Sequence, residues 1–381
     1  MSLTSFSWIP VLVTELIITS TPMPFSSQFQ SLQELGWSVF FEGQLSFDEI
    51  KQHNLGTILP VRITRVHRIR LQARSEDGEH VFSMAKDQGA GEFAVGDWLL
   101  IEPSTEKIVR KLDRQTVLQR LNFSSQNQVQ LIASNIDTLF IVTSCNADFD
   151  LAWIDRLLAL AFGAGVTPVV VLTKTDQTKS PDTWARQVRT LSPNLAVEAI
   201  NTHDPAHVRR LEKWCQPGQS TAMIGSSGVG KSTILNAMCQ IDTQTGEINE
   251  KNAQGHHTTT ARILHQTKSG GWLIDTPGIR VLHLHEAEKG INLLFKDITE
   301  LTEKCQFRDC THTDEPGCAL NTALLENALD RNRYQRWNKL RQSSNPNSGE
   351  SVEPVISWRE QQRITKAIKH DQKHLKRKQK K

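Results

Sequence analysis

Apolar and polar positions alternate in short runs between residues 56 and 112, and turn residues cut the runs. Residues 58–64, 69–73, 79–84 and 97–101 each read as a strand with one buried face, and Glu76-Asp77-Gly78 marks a hairpin. Short strands at this spacing predict a small closed β-barrel. Beyond residue 131 the pattern changes. Residues 137–143 predict a strand, and residues 151–162 an amphipathic helix with Leu151, Ile154, Leu158 and Phe162 on one face. The β-branched run 168–172 is the next strand. This succession predicts a parallel sheet with helices on its faces. Residues 221–224 and 272–274 add apolar strands, the second joined by a Gly270-Gly271 turn to residues 261–267. From His285, Ile291, Leu294, Ile298 and Leu301 recur at helical spacing, and a further helix runs through Leu340.

These patterns divide the 381 residues into an N-terminal extension, partly disordered (1–55), a barrel (56–112), a linker (113–130), an α/β domain (131–284), a helical domain (285–342), and a linker with a basic tail (343–381). With 22% charged residues and a mean hydropathy of -0.40, wholesale disorder is excluded. Residues 8–18 are apolar, but no Lys or Arg precedes Lys51 and Glu15 interrupts the run. Neither a signal peptide nor a membrane span is expected from it, and Met23 is the expected initiator. The formal net charge of +3 hides an asymmetry: residues 359–381 hold ten Lys or Arg against two acids, leaving −5 for the rest. Such a tail is the footprint of a phosphate-backbone binder, or simply a solvated tail. Arg62, Arg65, Arg68, Arg70 and Arg74 on the first two barrel strands offer a nucleic-acid face or, equally, a solvated one.

Gly225-Ser226-Ser227-Gly228-Val229-Gly230-Lys231-Ser232 matches the phosphate-binding loop G-x-x-x-x-G-K-[ST], with Thr233 opening the helix that follows. Its glycines let backbone N–H groups close around phosphate oxygens, Lys231 neutralises the β/γ-phosphates, and Ser232 offers a hydroxyl to Mg²⁺. About forty residues on, Asp275-Thr276-Pro277-Gly278 ends a strand, where an acid holds Mg²⁺ and Gly278 brings its N–H to the γ-phosphate. Alone, that tetrapeptide is also a good β-turn. Thr173-Lys174-Thr175-Asp176 follows the strand at 168–172. Its Asp can accept both N–H groups of guanine's Watson–Crick edge, its Lys stem lies across the ring, and Thr173 stands where many GTPases carry Asn. The expected nucleotide is therefore GTP rather than ATP. The order is rotated, with T-K-T-D first, the phosphate loop second and D-T-P-G last, the mark of a circular permutation that leaves a pocket intact.

Cys145, Cys215 and Cys239 are scattered and read as small buried hydrophobes. Cys305-x₄-Cys310-x-His312-x₅-Cys318 is a Cys₃His set, the closed tetrahedral donor set of a structural zinc. A disulfide with a spare thiol is the rival, disfavoured because thiols stay reduced in the cytosol.

With this motif order, Gly255-His256-His257-Thr258-Thr259-Thr260 between the phosphate loop and D-T-P-G, and the cysteine cluster, the chain resembles the ribosome small-subunit-dependent GTPase A family over residues 55–325. The resemblance implies an OB-fold for the barrel, one structural zinc, Mg²⁺ with GTP, and a switch-I threonine among Thr258, Thr259 and Thr260. It also implies GTP hydrolysis stimulated by the small ribosomal subunit, during its late maturation, with release afterwards. Ile279 follows Gly278 and cannot orient water, so slow intrinsic turnover is expected, with His257 the nearest candidate to position water. The expected partners are the small subunit, its rRNA and GTP/GDP, for a cytoplasmic monomer without membrane contact. A P-loop ATPase or kinase, or a non-catalytic GTP-holding rRNA scaffold, are the rival functions.

Overall fold

The computed structural model describes residues 32–67, 69–84, 89–122, 128–147, 149–239, 262–276, 287–313 and 315–344. Two short helices open it, α1 (Val39–Glu42) and α2 (Phe47–Asn54). Helix α2 starts on a reciprocal cap, Ser46 Oγ accepting from the Glu49 N–H and the Glu49 carboxylate accepting from the Ser46 N–H. Strands β1 (Leu59–Val66), β2 (Arg70–Ser75), β3 (Gly78–Ser83), β4 (Trp98–Glu102) and β5 (Lys107–Lys111) follow, antiparallel in the order β5-β4-β1-β2-β3. Their inward residues, among them Val61, Ile63, Leu71, Phe82 and Leu99, make a core of their own. This is the strand order of a Greek-key barrel, with no β3–β5 ladder among the described residues.

A hairpin of β6 (Val117–Asn122) and β7 (Gln128–Ser134) comes next. The central domain then runs β8 (Thr138–Ser144), α3 (Leu151–Gly163), β9 (Thr167–Thr173), α4 (Pro181–Arg189), β10 (Ala196–Ala199), α5 (Pro205–Arg209), β11 (Ser220–Gly225), α6 (Lys231–Cys239), β12 (Ile263–Gln266) and β13 (Trp272–Asp275). Its strands lie in the order β10-β9-β8-β11-β13-β12, all parallel except β12. Parallel pairing puts the carboxyl ends of β9, β11 and β13 on one edge, where loops can converge on a ligand. Helices α7 (Ala287–Leu294), α8 (Lys296–Thr302), α9 (Ala319–Leu325) and α10 (Arg331–Ser344) are the last elements among the described residues.

Several expectations are corrected by packing. Residues 32–41 are no loose extension: Leu32, Leu35, Trp37 and Phe41 are buried, with Trp37 edge-on to Trp98 at 4.9 Å. The carbonyl of Glu34 accepts from Trp272 Nε1 at 2.7 Å and from the Gly218 N–H at 3.1 Å, so this segment staples barrel to central domain. Arg62 belongs to that staple rather than to a solvated face. It is 1% exposed and donates to the carbonyls of Leu35 and Asn135. Part of the stretch read as a linker is the β6 strand, paired in register with β7. The barrel is not a separate body either. Strand β1 outruns β4, and its Arg65 pairs with Ile263 of β12. Helix α3 is buried from Trp153 through Ala161 on every face, because the sheet covers one side and α7 the other. The approach of α7 requires Gly290, where a Cβ would lie 1.9 Å from the Ala159 carbonyl oxygen. Residues 1–31, including Met23, and the basic tail lie outside the described residues.

Candidate nucleotide site and metal centre

Strand β11 is flanked by β8 and β13, and its last residue, Gly225, pairs with Val142. A Cβ at Gly225 would stand 2.4 Å from the Val142 carbonyl oxygen, so only glycine lets the chain leave the sheet here. Gly228 (φ +79°) and Gly230 (φ +103°) hold left-handed conformations that turn the loop back into α6. Ser227, Gly228 and Ser232 are exposed, Ser226, Gly230 and Thr233 are half-buried, and Val229 is buried. Lys231 is 9% exposed and donates from Nζ to the carbonyls of Gly225 and Ser226, both at 2.8 Å. Burial pulls its ammonium down to about 8, against the opposing pull of Asp275. Asp275, in register with Met223 across the β11–β13 ladder, is pushed up by burial and held back by Lys231. The next residue, Thr276, donates its hydroxyl to the Met223 carbonyl.

Thr173 ends β9 and is fully buried. Its hydroxyl lies 2.6 Å from the Val229 carbonyl oxygen and 3.1 Å from that of Thr143. The side chain thus ties the T-K-T-D segment to the phosphate loop and does not face a base. Lys174 turns the chain with φ 56°, and the single turn Thr175–Gln177 presents Asp176 to solvent. Thr173→Val keeps the shape but leaves the Val229 carbonyl without its donor. It is expected to cost about 1–2 kcal/mol in chemical denaturation and to weaken GTP binding. An unaltered midpoint would show that the tie carries no energy.

His265 was not singled out from the sequence. It lies on β12 opposite Leu273, two residues from the Ile263–Asp275 pair, and its charge is coupled to that of Asp275. Burial lowers its pKa. Strand alternation along residues 261–267 puts it on the side of the ladder that Asp275 occupies, which was the available signal. His257, Thr258, Thr259, Thr260, Gly278 and Ile279 lie outside the described residues.

In the helical module, the donor atoms of Cys305, Cys310, His312 and Cys318 all lie within 4.8 Å of one another. His312 Nδ1 is 3.6 Å from Cys305 Sγ and 3.8 Å from Cys318 Sγ. Corners of a tetrahedron around a zinc with ~2.3 Å bonds are separated by about 3.8 Å, so the set fits one structural zinc. Each donor is placed by its surroundings. His312 sits at φ 65°, its carbonyl accepts from the Tyr334 hydroxyl at 3.1 Å, and its ring meets Trp337. Burial lowers the imidazole pKa, which favours the neutral, ligating form. Glu315 accepts the N–H groups of Thr311 and Thr313 and fixes the intervening turn. Cys145, Cys215 and Cys239 are buried elsewhere, and burial raises all three thiols.

The module is bolted to the central domain. Arg333 grips Asp297 with two bonds of 2.7 and 2.8 Å and donates to the carbonyls of Leu191 and Leu294. Arg336 on α10 lies 3.0 Å from Asp155, whose carboxyl is buried in α3 and pushed up to about 7.

Comparison with known proteins places this arrangement. Residues 111–285 match the family model "RsgA GTPase". Residues 208–370 also match an ABC transporter model, over a span that includes the phosphate-binding loop. The small ribosomal subunit biogenesis GTPase RsgA of Mesorhizobium japonicum is 47% identical over 322 residues, covering 84% of this chain and 91% of its own. RsgA 2 of Vibrio vulnificus is 42% identical, covering 83% and 88%. Among solved structures, YjeQ from Thermotoga maritima aligns at a TM-score of 0.55 and 22% identity, over 75% of this chain and 98% of its own. YloQ, titled a circularly permuted GTPase, aligns at 0.54 and 22%, over 75% and 95%, and like YjeQ speaks to the fold alone. On the identity and coverage of its relatives, and on a sheet edge that gathers its rotated motifs, the chain belongs to the RsgA GTPase family.

Proposed function

We propose that this protein is a GTP hydrolase that binds the small ribosomal subunit and hydrolyses GTP on it, assisting late maturation and leaving afterwards. One observation carries the reading. Lys231, Asp275 and the Thr173–Asp176 segment come from three parts of the chain in rotated order, yet occupy one edge of one sheet, with Thr173 bonded to the phosphate loop and Lys231 coupled to Asp275.

The roles follow from the motifs. Backbone N–H groups of Gly225, Ser226, Ser227, Gly228, Val229, Gly230 and Lys231 surround the phosphates, Thr233 lies in the first turn of α6, and the helix terminus adds its dipole. Lys231 leaves its loop carbonyls for the β/γ-phosphates. Lys174, Thr175 and Asp176 take the guanine, with Thr173 as the tie behind them. Ser232 and Asp275 would hold Mg²⁺, which would supply positive charge against that of the phosphates. Gly278 reaches the γ-phosphate and His257 positions water. The zinc held by Cys305, Cys310, His312 and Cys318 shapes the helical module. Movement of D-T-P-G on phosphate loss reaches that module along the chain.

Contact with rRNA, a monomeric state and a cytoplasmic location complete the proposal. Among the described residues no helix is long and apolar enough to cross a membrane. GTP turnover with and without purified small subunits tests the reading. Stimulation by subunits, with ATP failing to compete, is the expected result. Equal competition by ATP, or tight GTP binding with no turnover on subunits, would reject it in favour of an ATPase or a scaffold.

A further inference from the structure

The carboxyl end of β10 belongs to none of the motifs, yet it lies on the nucleotide edge. Strand β10 runs parallel to β9, so both end beside the phosphate loop. Ile200 extends the pairing, its N–H donating to the Leu172 carbonyl at 2.8 Å, and the chain then leaves the sheet through Asn201 and Thr202. Thr202 is 8% exposed. Its methyl backs the phosphate loop: a Cβ built on Gly230 would meet Thr202 Cγ2 at 3.5 Å and Thr173 Cγ2 at 3.7 Å. Two threonines therefore support one bend. Thr173 holds Val229 by a hydrogen bond, and Thr202 holds Gly230 by contact.

Thr202 is seated by the residue before it. The Asn201 N–H donates to His207 Nδ1 at 3.1 Å, which joins the strand end to helix α5. An imidazole nitrogen that accepts carries no proton, so the ring's proton sits on Nε2, 3.8 Å from Asp204 Oδ2. The bend between is closed by its own bonds. Asn201 Oδ1 accepts the His203 N–H at 3.0 Å, the Asn201 carbonyl accepts from the Asp204 N–H at 3.1 Å, and Asp204 Oδ1 caps α5 at the Ala206 N–H. Residues 201–207 are thus tied into one unit. We infer that His207 is a positioning residue of the nucleotide site, whose Nδ1 seats Thr202 against Gly230 and so holds the phosphate loop in its binding shape. This rests on the GTPase reading above and deepens it. Loss of the acceptor leaves the half-buried Asn201 N–H without its partner, and the strand end is then free to shift. The loop amides surround phosphates that GTP and GDP share, so both nucleotides feel that shift.

The test separates acceptor from bulk in the full-length protein. His207→Phe keeps a ring and removes the acceptor, whereas His207→Asn removes the ring and places Oδ1 where Nδ1 stood. GTP and GDP affinities are titrated, with the melting temperature of the nucleotide-free protein measured alongside. His207→Phe should bind both nucleotides about five- to tenfold more weakly, and His207→Asn should stay within about twofold of the parent. A role in stability alone would lower the melting temperature and leave affinity where it was. Parent-like affinity in His207→Phe, or equal losses in the two variants, therefore overturns the assignment. Thr202→Ser is the second arm, and it decides the matter even if His207→Phe fails to fold. It deletes the methyl nearest Gly230 and should weaken both nucleotides about fourfold. Unchanged affinity there, or weakened GTP with intact GDP, overturns the route through Thr202. A parent that binds GTP and ATP alike, or neither, rejects the GTPase reading itself before any variant is compared.

Discussion

Lys231→Ala is expected to lower subunit-stimulated GTP turnover by about 10²–10³-fold, the scale on which one preorganised charge at a reacting centre acts. Lys231 is the only cation whose ammonium already lies on the loop carbonyls of Gly225 and Ser226 among the described residues. Phosphate oxygens replace those carbonyls with a full negative charge beside a buried ammonium, so the attraction grows where charge develops. The same burial makes a second signature. The ammonium's free value stands at about 8 rather than 10.5, and phosphate binding needs it protonated. Raising pH through about 8 therefore removes the binding-competent form, and GTP affinity should fall toward tenfold per pH unit above it. The alanine variant should lose that pH dependence along with the rate. Single-turnover hydrolysis and nucleotide titrations between pH 7 and 9.5 measure both. A variant within threefold of the parent's rate would sink the assignment.

Removing the zinc, by chelation or by Cys318→Ser, should unfold residues 287–344 and release one zinc per chain. Apparent binding energies of structural zinc reach about 10–16 kcal/mol in small peptides, far above what a module of four short helices holds by itself. Cys318 is the sharpest choice, because it is 2% exposed, precedes α9 and lies against His312. The damage should spread. Helix α7 covers α3, so melting the module exposes the outer face of α3 and leaves Asp155 without Arg336. Thermal denaturation with metal release followed by a chromogenic chelator distinguishes the outcomes. Cys145→Ser, at an isolated buried thiol, should leave zinc content unchanged. Full zinc loss with an unaltered melting curve would mean that the cluster does not hold the module together.

How much was legible varies with the range of the interaction. The phosphate loop, T-K-T-D and the Cys₃His spacing are local: each element needs its residue types at fixed offsets, so the chain order states the chemistry directly. Alternation found the barrel strands, and the βαβ succession found the parallel sheet. What failed was burial that depends on distant partners. Residues 151–162 were read as one-sided, although only Asp155 and Arg156 are charged among them, because nothing local shows that α7 covers the second face of the helix. Residues 32–41 have no sustained period, so their role as a staple could not be read from pattern. Arg62 looked like its neighbours on β1 and β2 until Leu35 and Asn135 supplied acceptors from 27 and 73 residues away.

By itself the amino-acid order determined which nucleotide chemistry and which metal donors this protein carries, and that its motifs run in rotated sequence. Tertiary structure alone decided that Thr173 serves the phosphate loop and that barrel and sheet share the β1–β12 ladder. Donor types at short spacing are written along the chain. Dielectric surroundings and counter-charges are set by what folds against a side chain, and those neighbours come from anywhere in the sequence.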